Sequence, residues 1–308
     1  MRAWAPRANK ATLLTRARLR SAIREHFADG PSAALEVEVP LCQGGPNRDH
    51  GVAVGQLAGL QRWLTTSPEH PLKRLVAAGY GPVWCFHPCL RLGELGQLHR
   101  PEFTMLEWYR PGWSMDLLIE ECVGLIASLL GTSAEYRRIP WRRAMTAVLG
   151  NDPDALDVET LRARAQGPAG SSRDDLLDLI FATQVQPGLG YDGTAVVDQW
   201  PAAACAQARI VAGDGGQQVA ARFEIFVRGV ELANGYDECW DGAELRRRFD
   251  AHAAANGEPP SHDEAYLAAL DHDPGQVSGV ALGFDRIVLL ATGLSDLGET
   301  QAFPWEIA

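Results

Sequence analysis

Apolar residues recur along this chain at two spacings, and the changes between them mark its elements. Leu19, Ile23 and Phe27 stand four apart, so residues 12–28 predict an amphipathic helix that stops before Gly30-Pro31. LEVEVP (35–40) alternates and predicts a short strand closed by Pro40, and the glycine-rich stretch 42–59 predicts a loop. A strand to about Thr65 follows, then a cap at Ser67, Pro68 at the first helical position, and a helix ending at Gly79. In 83–91, Trp84, Phe86 and Leu90 fall on one face and Cys85, His87, Cys89 and Arg91 on the other. Alternation in 103–110 sends Phe103, Met105, Glu107 and Tyr109 one way and Thr104, Leu106 and Trp108 the other. The connection LGELGQLHRPE is polar and of hairpin type, so the Arg91 face and the Glu107 face can coincide.

Downstream, residues 115–131 predict a helix stopped by Gly131, and 150–173, rich in Asp, Gly, Pro and Ser, a surface excursion. Residues 174–185 predict a helix, 221–235 a strand, and 242–257 a charged helix closed by Gly257. SGVALGFDRIVLLATG runs from a short strand into an apolar helix ending at Gly293. No internal repeat or linker divides the chain. The expectation is one α+β domain over residues 12–308, preceded by an N-terminal tail, residues 1–11.

Composition narrows the function classes. With 308 residues, 46% hydrophobic and 22% charged, the chain can bury a sizeable core. No apolar run approaches the roughly 20 residues of a membrane span, and no secretory signal is legible, so a cytoplasmic protein is expected. The six cysteines form no CxxC and fit reduced thiols. A net charge of −11 argues against a broad nucleic-acid surface. One basic island, Arg137, Arg138, Arg142 and Arg143, interrupts that balance.

Three segments carry candidate chemistry. Glu107, flanked by Leu106 and Trp108 in a strand, must be paired or must recognise a cation, because burying a lone carboxylate costs several kcal/mol. With Phe103, Tyr109 and Arg91 it suits a pocket for a flat ring and an ammonium. Glu231 and Glu238 flank an Asn234-Gly turn and could hold a phosphate-bound magnesium ion, or could be acidic surface residues at a strand end. Gly283-Phe-Asp-Arg286 opens a helix where a ligand can approach closely and an arginine can meet a phosphate. Cys85, His87 and Cys89 invite a zinc reading. Neighbours on one strand face stand about 6.5–7 Å apart, too far for one tetrahedral ion, and no fourth ligand is evident.

Taken in order, these pieces resemble the three signature motifs of class II aminoacyl-tRNA synthetases, and specifically the lysyl branch. The first helix with LEVEVP resembles motif 1, Arg91 through HRPEFTMLEWYR motif 2, and SGVALGFDRIVLLATG motif 3; TSPE (66–69) and ELANGYDE (231–238) match the lysyl branch as well. No room is left for an anticodon-binding barrel, and Ala281 stands where the synthetases usually carry Gly. Both features resemble the stand-alone paralogs that attach a lysine-type amino acid, (R)-β-lysine, to a lysine of elongation factor P.

The resemblance implies a class II synthetase-like antiparallel sheet flanked by helices. It also implies an ATP- and Mg2+-dependent amino-acid ligase that forms an aminoacyl-adenylate, a homodimer built through motif 1, and no use of tRNA. By position, Arg91 would bind the α-phosphate, Phe103 would stack on adenine, and His99 and Arg286 would contact the outer phosphates, with Arg91 and Arg286 as the catalytic pair. Arg100, Leu232 and Gly283 would complete the nucleotide site. Glu231 and Glu238 would serve magnesium. Ser67, Pro68, Glu69, Glu107, Tyr109, Asn234 and Glu238 would hold the amino acid.

The chain departs from the family pattern at several places. Motif 2 reads Arg91-Leu92-Gly93-Glu94 where the family usually reads Arg-Asn-Glu-Glu, Arg100 replaces an Asn, Ala221 replaces a Glu, and Pro88 sits inside a strand. Two alternatives follow: another adenylate-forming amino-acid ligase, or a non-catalytic synthetase-like binding protein.

Overall fold

A computed structural model of the chain describes residues 4–47, 54–57 and 59–308. Residues 1–3 of the expected tail, and 48–53 and 58 of the expected loop, lie outside the described residues.

Helix α1 (Lys10–Ala28) is capped by Asn9, whose side chain accepts from the Thr12 N–H. It starts inside the expected tail, and the Arg7 and Ala8 N–H groups bond the Ala302 and Gln301 carbonyls. Short strands β1 (Leu35–Glu36), β2 (Cys42–Gln43), β3 (Gln56–Leu57) and β4 (Arg62–Leu64) follow. Only Leu35 and Glu36 of LEVEVP pair in the main sheet, while β2, β4 and β3 make a small sheet within and beside the expected loop. Next come α2 (Glu69–Ala77), β5 (Val83–Leu90), β6 (Glu102–Pro111) and α3 (Met115–Leu130), the last stopped by Gly131 at φ 66°. After β7 (Tyr136–Pro140) and α4 (Trp141–Leu149), the expected excursion instead contains α5 (Val158–Ala165). The chain continues through α6 (Arg173–Ile180), β8 (Thr194–Pro201), β9 (Ile210–Ala212), β10 (Gln218–Val227) and β11 (Val230–Asp237). It closes with α7 (Gly242–Ala255), α8 (Glu264–Ala269), β12 (Val277–Gly283) and α9 (Phe284–Thr292).

Among the described residues the main sheet has nine strands, ordered β1-β5-β6-β12-β11-β10-β8-β7 with β9 beside β10. Its interior is antiparallel as expected, but both edges, β1 on β5 and β7 on β8, are parallel. One face packs on α1, α3 and α9 through Phe27, Trp84, Leu106, Trp108, Ile126 and Ile287. Against the other face Leu72 and Val76 of α2 meet Val83, Cys85 and Tyr109. The two faces of β5 and β6 therefore divide as their alternation predicts. The stretch 221–235 is not one strand but two, turned at Arg228-Gly229, where both residues have positive φ (52° and 75°).

Candidate active site

Register brings the predicted side chains onto the α2 face of the sheet. Cys85 pairs with Glu107, Glu107 with Ala281, Ala281 with Asn234, and Asn234 with Glu224, which makes one row across five strands. Row neighbours lie about 5 Å apart, so Glu107 and Asn234 flank the methyl of Ala281.

On one side of this row is an open pocket lined by Arg91, His99, Arg100, Phe103, Glu231, Leu232, Asn234, Gly283 and Arg286. Every residue that the motifs placed at a nucleotide is in that lining. The Arg91 guanidinium lies 5.2 Å from the Phe103 ring centroid and 4.0 Å from Glu94. The Arg286 guanidinium, on the first turn of α9, reaches the Glu231 carboxylate at 3.4 Å and the ring of His99 at 2.9 Å. Burial and the Arg286 charge hold His99 below its ordinary pKa, so the ring is neutral and can share a proton with an incoming anion.

Arg100 does not fit its expected role. At the pocket wall its guanidinium donates to the Gly96 and His99 carbonyls and to Asp296 at 2.5 Å, and Glu306 stands 3.0 Å from Nε as an ion pair. An Asn could not span these four partners, and the arginine ties the motif 2 loop to the C-terminal segment instead of contacting a nucleotide.

On the other side of the row is a buried polar cluster. Glu107 accepts from Ser67 Oγ and from Tyr109 Oη, each at 2.7 Å. Burial, then the nearby Glu69 charge, pushes its carboxyl up to about 8. Pro68 precedes the first residue of α2, which places Glu69; the Glu69 N–H donates to Ser67 Oγ at 3.1 Å, so Ser67 caps the turn and orients Glu107 together. Glu69 Oε2 accepts from Gln207 at 2.7 Å and from Asn47 at 3.2 Å, while Oε1 is 2.5 Å from Lys73 Nζ. Glu238 Oε2 is also 2.5 Å from Lys73 Nζ, but out of line, and both of its oxygens lack a directed hydrogen bond. Burial leaves the Glu238 carboxyl raised to about 8. Gly279 makes the room here, since any Cβ would run into the Tyr109 ring and the Glu238 carboxylate.

The expected magnesium pair is thereby split. Glu231 faces Arg286 and Glu238 faces Lys73, and seven residues of extended chain separate them by about 23 Å. Glu224 is the carboxylate that couples to Glu231: burial, and then Glu231 among its neighbours, raises it to about 8 although Arg222 opposes the shift. A charged residue between Phe223 and Ile225 was the available signal for it. Sequence reading also missed Lys73, Gln207 and Asn47. Asn234 holds Arg222 and Tyr236 at 3.1 and 2.9 Å while lining the open pocket. Cys85 and Cys89 are buried free thiols, and His87 bonds Thr65 at 2.9 Å. Among the described residues no cluster of three or more His, Cys, Asp or Glu is placed to hold a metal ion by itself.

The chain matches the family tRNA synthetases class II (D, K and N) over residues 3–306. It is similar to the elongation factor P–(R)-β-lysine ligases of Proteus mirabilis (38% identical over 98% of this chain and 97% of that one) and Edwardsiella ictaluri (39%, 98% of each). It is likewise similar to the ligase of that name from Pseudoalteromonas translucida (38%, 97% of each). The chain belongs to the elongation factor P–(R)-β-lysine ligase family, within the class II tRNA synthetases.

Proposed function

We propose that the chain uses ATP to activate (R)-β-lysine as an aminoacyl-adenylate and passes the acyl group to a lysine side chain of elongation factor P. The observation that carries this reading is a buried cluster of three carboxyls, Glu69, Glu107 and Glu238, beside an open pocket bearing Arg91, Phe103 and Arg286. The amino acid's carboxylate oxygen attacks the α-phosphorus of ATP as the bond to pyrophosphate breaks. The acceptor's ε-amine then attacks the acyl carbon, loses a proton, and AMP departs with the bonding electrons. Neither step needs an enzyme nucleophile, so the chain supplies position and charge.

In this reading Arg91 meets the charge developing on the α-phosphate, Phe103 offers its ring to adenine, and His99 and Arg286 take the outer phosphates. Leu232 and Gly283 border the nucleotide. Glu107, Tyr109 and Glu238 receive the ammonium groups, Glu69 supports them through Lys73, and Asn234 takes the polar end nearest the row. Magnesium fits Glu231 with Glu224 better than Glu231 with Glu238. Glu231 adds to the burial that raises Glu224, although Arg222 pairs with Glu224, and these two carboxylates would hold the ion, which would supply charge neutralisation for the phosphates.

The same reading takes residues 12–308 as one catalytic domain of a cytoplasmic homodimer that binds neither tRNA nor membrane. Among the described residues no helix is long and apolar enough to cross a membrane. Leu19, Ile23 and Phe27 bury within their own subunit, which leaves Leu14 (52% exposed) and Leu35 (49%) on the motif 1 surface to face a second copy. The basic island gives little help in capturing an acceptor, because Arg138 pairs with Asp116 and Asp198, and Arg142 with Asp152 and Asp154.

The test is amino-acid-dependent pyrophosphate exchange across a panel, followed by label transfer to purified elongation factor P or to total tRNA. Exchange with β-lysine and stable label on the protein are expected. Exchange with a different amino acid would favour another adenylate-forming ligase. Label on tRNA alone would refute the acceptor.

A further inference from the structure

Lys73 sits at the centre of the buried cluster with 0% exposure. The chain carries 28 lysines and arginines, and only Lys10 and Lys73 are lysines. Elsewhere its buried cations are guanidiniums, as in the pair of Arg110 with Glu121 at 2.5 Å. A guanidinium is a planar fork, whereas an ammonium is a compact point charge. The slot at Lys73 suits the second, because Nζ lies 2.5 Å from both Glu69 Oε1 and Glu238 Oε2 and 5.9 Å from the Tyr109 ring centroid.

The remaining capacity of the cluster can be counted. Glu69 is saturated by Lys73, Gln207 and Asn47. Glu107 has only neutral donors, Ser67 and Tyr109, and Glu238 has no directed donor. Three carboxyls share one ammonium, so two of them have no cation of their own and ionise fully only against further ammonium groups.

We propose that Lys73 is a specificity-determining residue: a fixed internal ammonium that neutralises one of the three carboxylates, so that only an amino acid bearing two ammonium groups balances the rest. The proposal rests on reading this cluster as the amino-acid site. An amino acid with one ammonium forms only one of the two ion pairs, and the missing pair is what selects against it. Lys73 acts through Glu69 and Glu238 and does not touch the reacting atoms.

The experiment measures pyrophosphate exchange with β-lysine and with norleucine for wild type, Lys73→Met and Lys73→Ala. Wild type exchanges with β-lysine and not with norleucine. Lys73→Met lowers kcat/KM for β-lysine by about 100-fold or more, as expected when one partner of a buried ion pair is removed, and leaves the ATP dissociation constant within about twofold. Lys73→Ala lacks three carbons and the nitrogen, so n-propylammonium restores its exchange by roughly tenfold or more and 1-propanol does not. Equal rescue by 1-propanol, or a kcat/KM for Lys73→Met within about threefold of wild type, would overturn the proposal.

A wild-type measurement covers the case in which the variants fail to fold. Amine acetylation of the native enzyme, followed by mass spectrometry, should modify exposed Lys10 and spare Lys73 with or without β-lysine. Modification of Lys73 that β-lysine suppresses would make it a displaceable plug, and the fixed-cation proposal would be wrong. Absence of wild-type exchange with any diamino acid would instead remove the reading of the cluster itself.

Discussion

Replacing Glu107 with glutamine keeps the shape of the buried cluster and removes its ionisable carboxyl. Burial holds the Glu107 carboxyl up to about 8. Ionising it to meet an ammonium therefore costs about 1.4 kcal/mol at pH 7 and about 2.7 at pH 6, but only about 0.4 at pH 8. A hydrogen bond to a charged group returns about 1.5–3 kcal/mol, or roughly 10- to 150-fold in affinity. At pH 8 Glu107→Gln should weaken β-lysine binding by about that factor. Wild type loses roughly 50-fold from this group between pH 8 and pH 6, whereas the glutamine variant has no such group to ionise, so the ratio between them should collapse toward unity as pH falls. Glu238 titrates in both proteins but lower in the variant, because the Glu107 charge that helps raise it is gone. Calorimetric titrations at pH 6, 7 and 8, with a parallel ATP titration, read this directly. A ratio independent of pH, or an equal loss of ATP affinity, would make Glu107 a structural acid and refute the reasoning. The stability sign is also fixed. A carboxyl raised above its unfolded value of about 4.5 contributes stability below that pH and loses it as pH rises through about 8. The variant should therefore gain melting temperature relative to wild type at pH 8 and not at pH 4.

Four other outcomes follow from the geometry. Arg91→Ala should lower pyrophosphate exchange about 100- to 1,000-fold while β-lysine still binds in calorimetry without nucleotide, since the guanidinium lies in the open pocket only. Glu224→Gln should raise the magnesium concentration needed for half-maximal exchange and leave β-lysine affinity unchanged. Light scattering at micromolar protein should give a dimer mass that Leu14→Asp converts to monomer; a monomeric wild type would exclude the proposed interface. Arg142→Ala should leave labelling of elongation factor P within about twofold, because its charge is already answered by Asp152 and Asp154 and exposed pairs contribute little.

What was legible in the sequence depended on how local the cause was. The faces of β5 and β6 follow from alternation, and the register Cys85 to Glu107 confirms that the Arg91 and Glu107 faces coincide. The turn at Arg228-Gly229 was hidden because Val227 and Val230 continue the apolar pattern through it. Helix α5 was hidden because only Leu161 and Ala165 of it are buried, too few to show a period. Lys73 carries no signal in the local apolar pattern. Its burial is set by Glu238 and by Gln207, 134 residues away, and no local pattern carries that. Glu238 was paired with Glu231 because they are near in sequence, although extended chain places them apart.

The motif 2 departures bear on whether the site is intact, and the backbone answers two of them. Pro88 pairs with Thr104, whose N–H goes to the Asp285 carboxylate at 2.8 Å and not to β5. The pair is therefore a non-hydrogen-bonded one, and the Pro88 nitrogen faces the outer side of β5, where β1 reaches only Val83 and Trp84. An edge without a ladder partner is where a strand tolerates proline. Gly93 adopts φ 81°, a conformation strained for glutamate, so restoring the family's carboxylate at this position would force the loop to change. The next residue, Glu94, lines the open pocket 4.0 Å from Arg91. A carboxylate is therefore still present, one residue later, on a loop that Arg100 ties to Asp296 and Glu306. Loop and acid are altered together, and that coupling fits a rebuilt nucleotide site better than a decayed one.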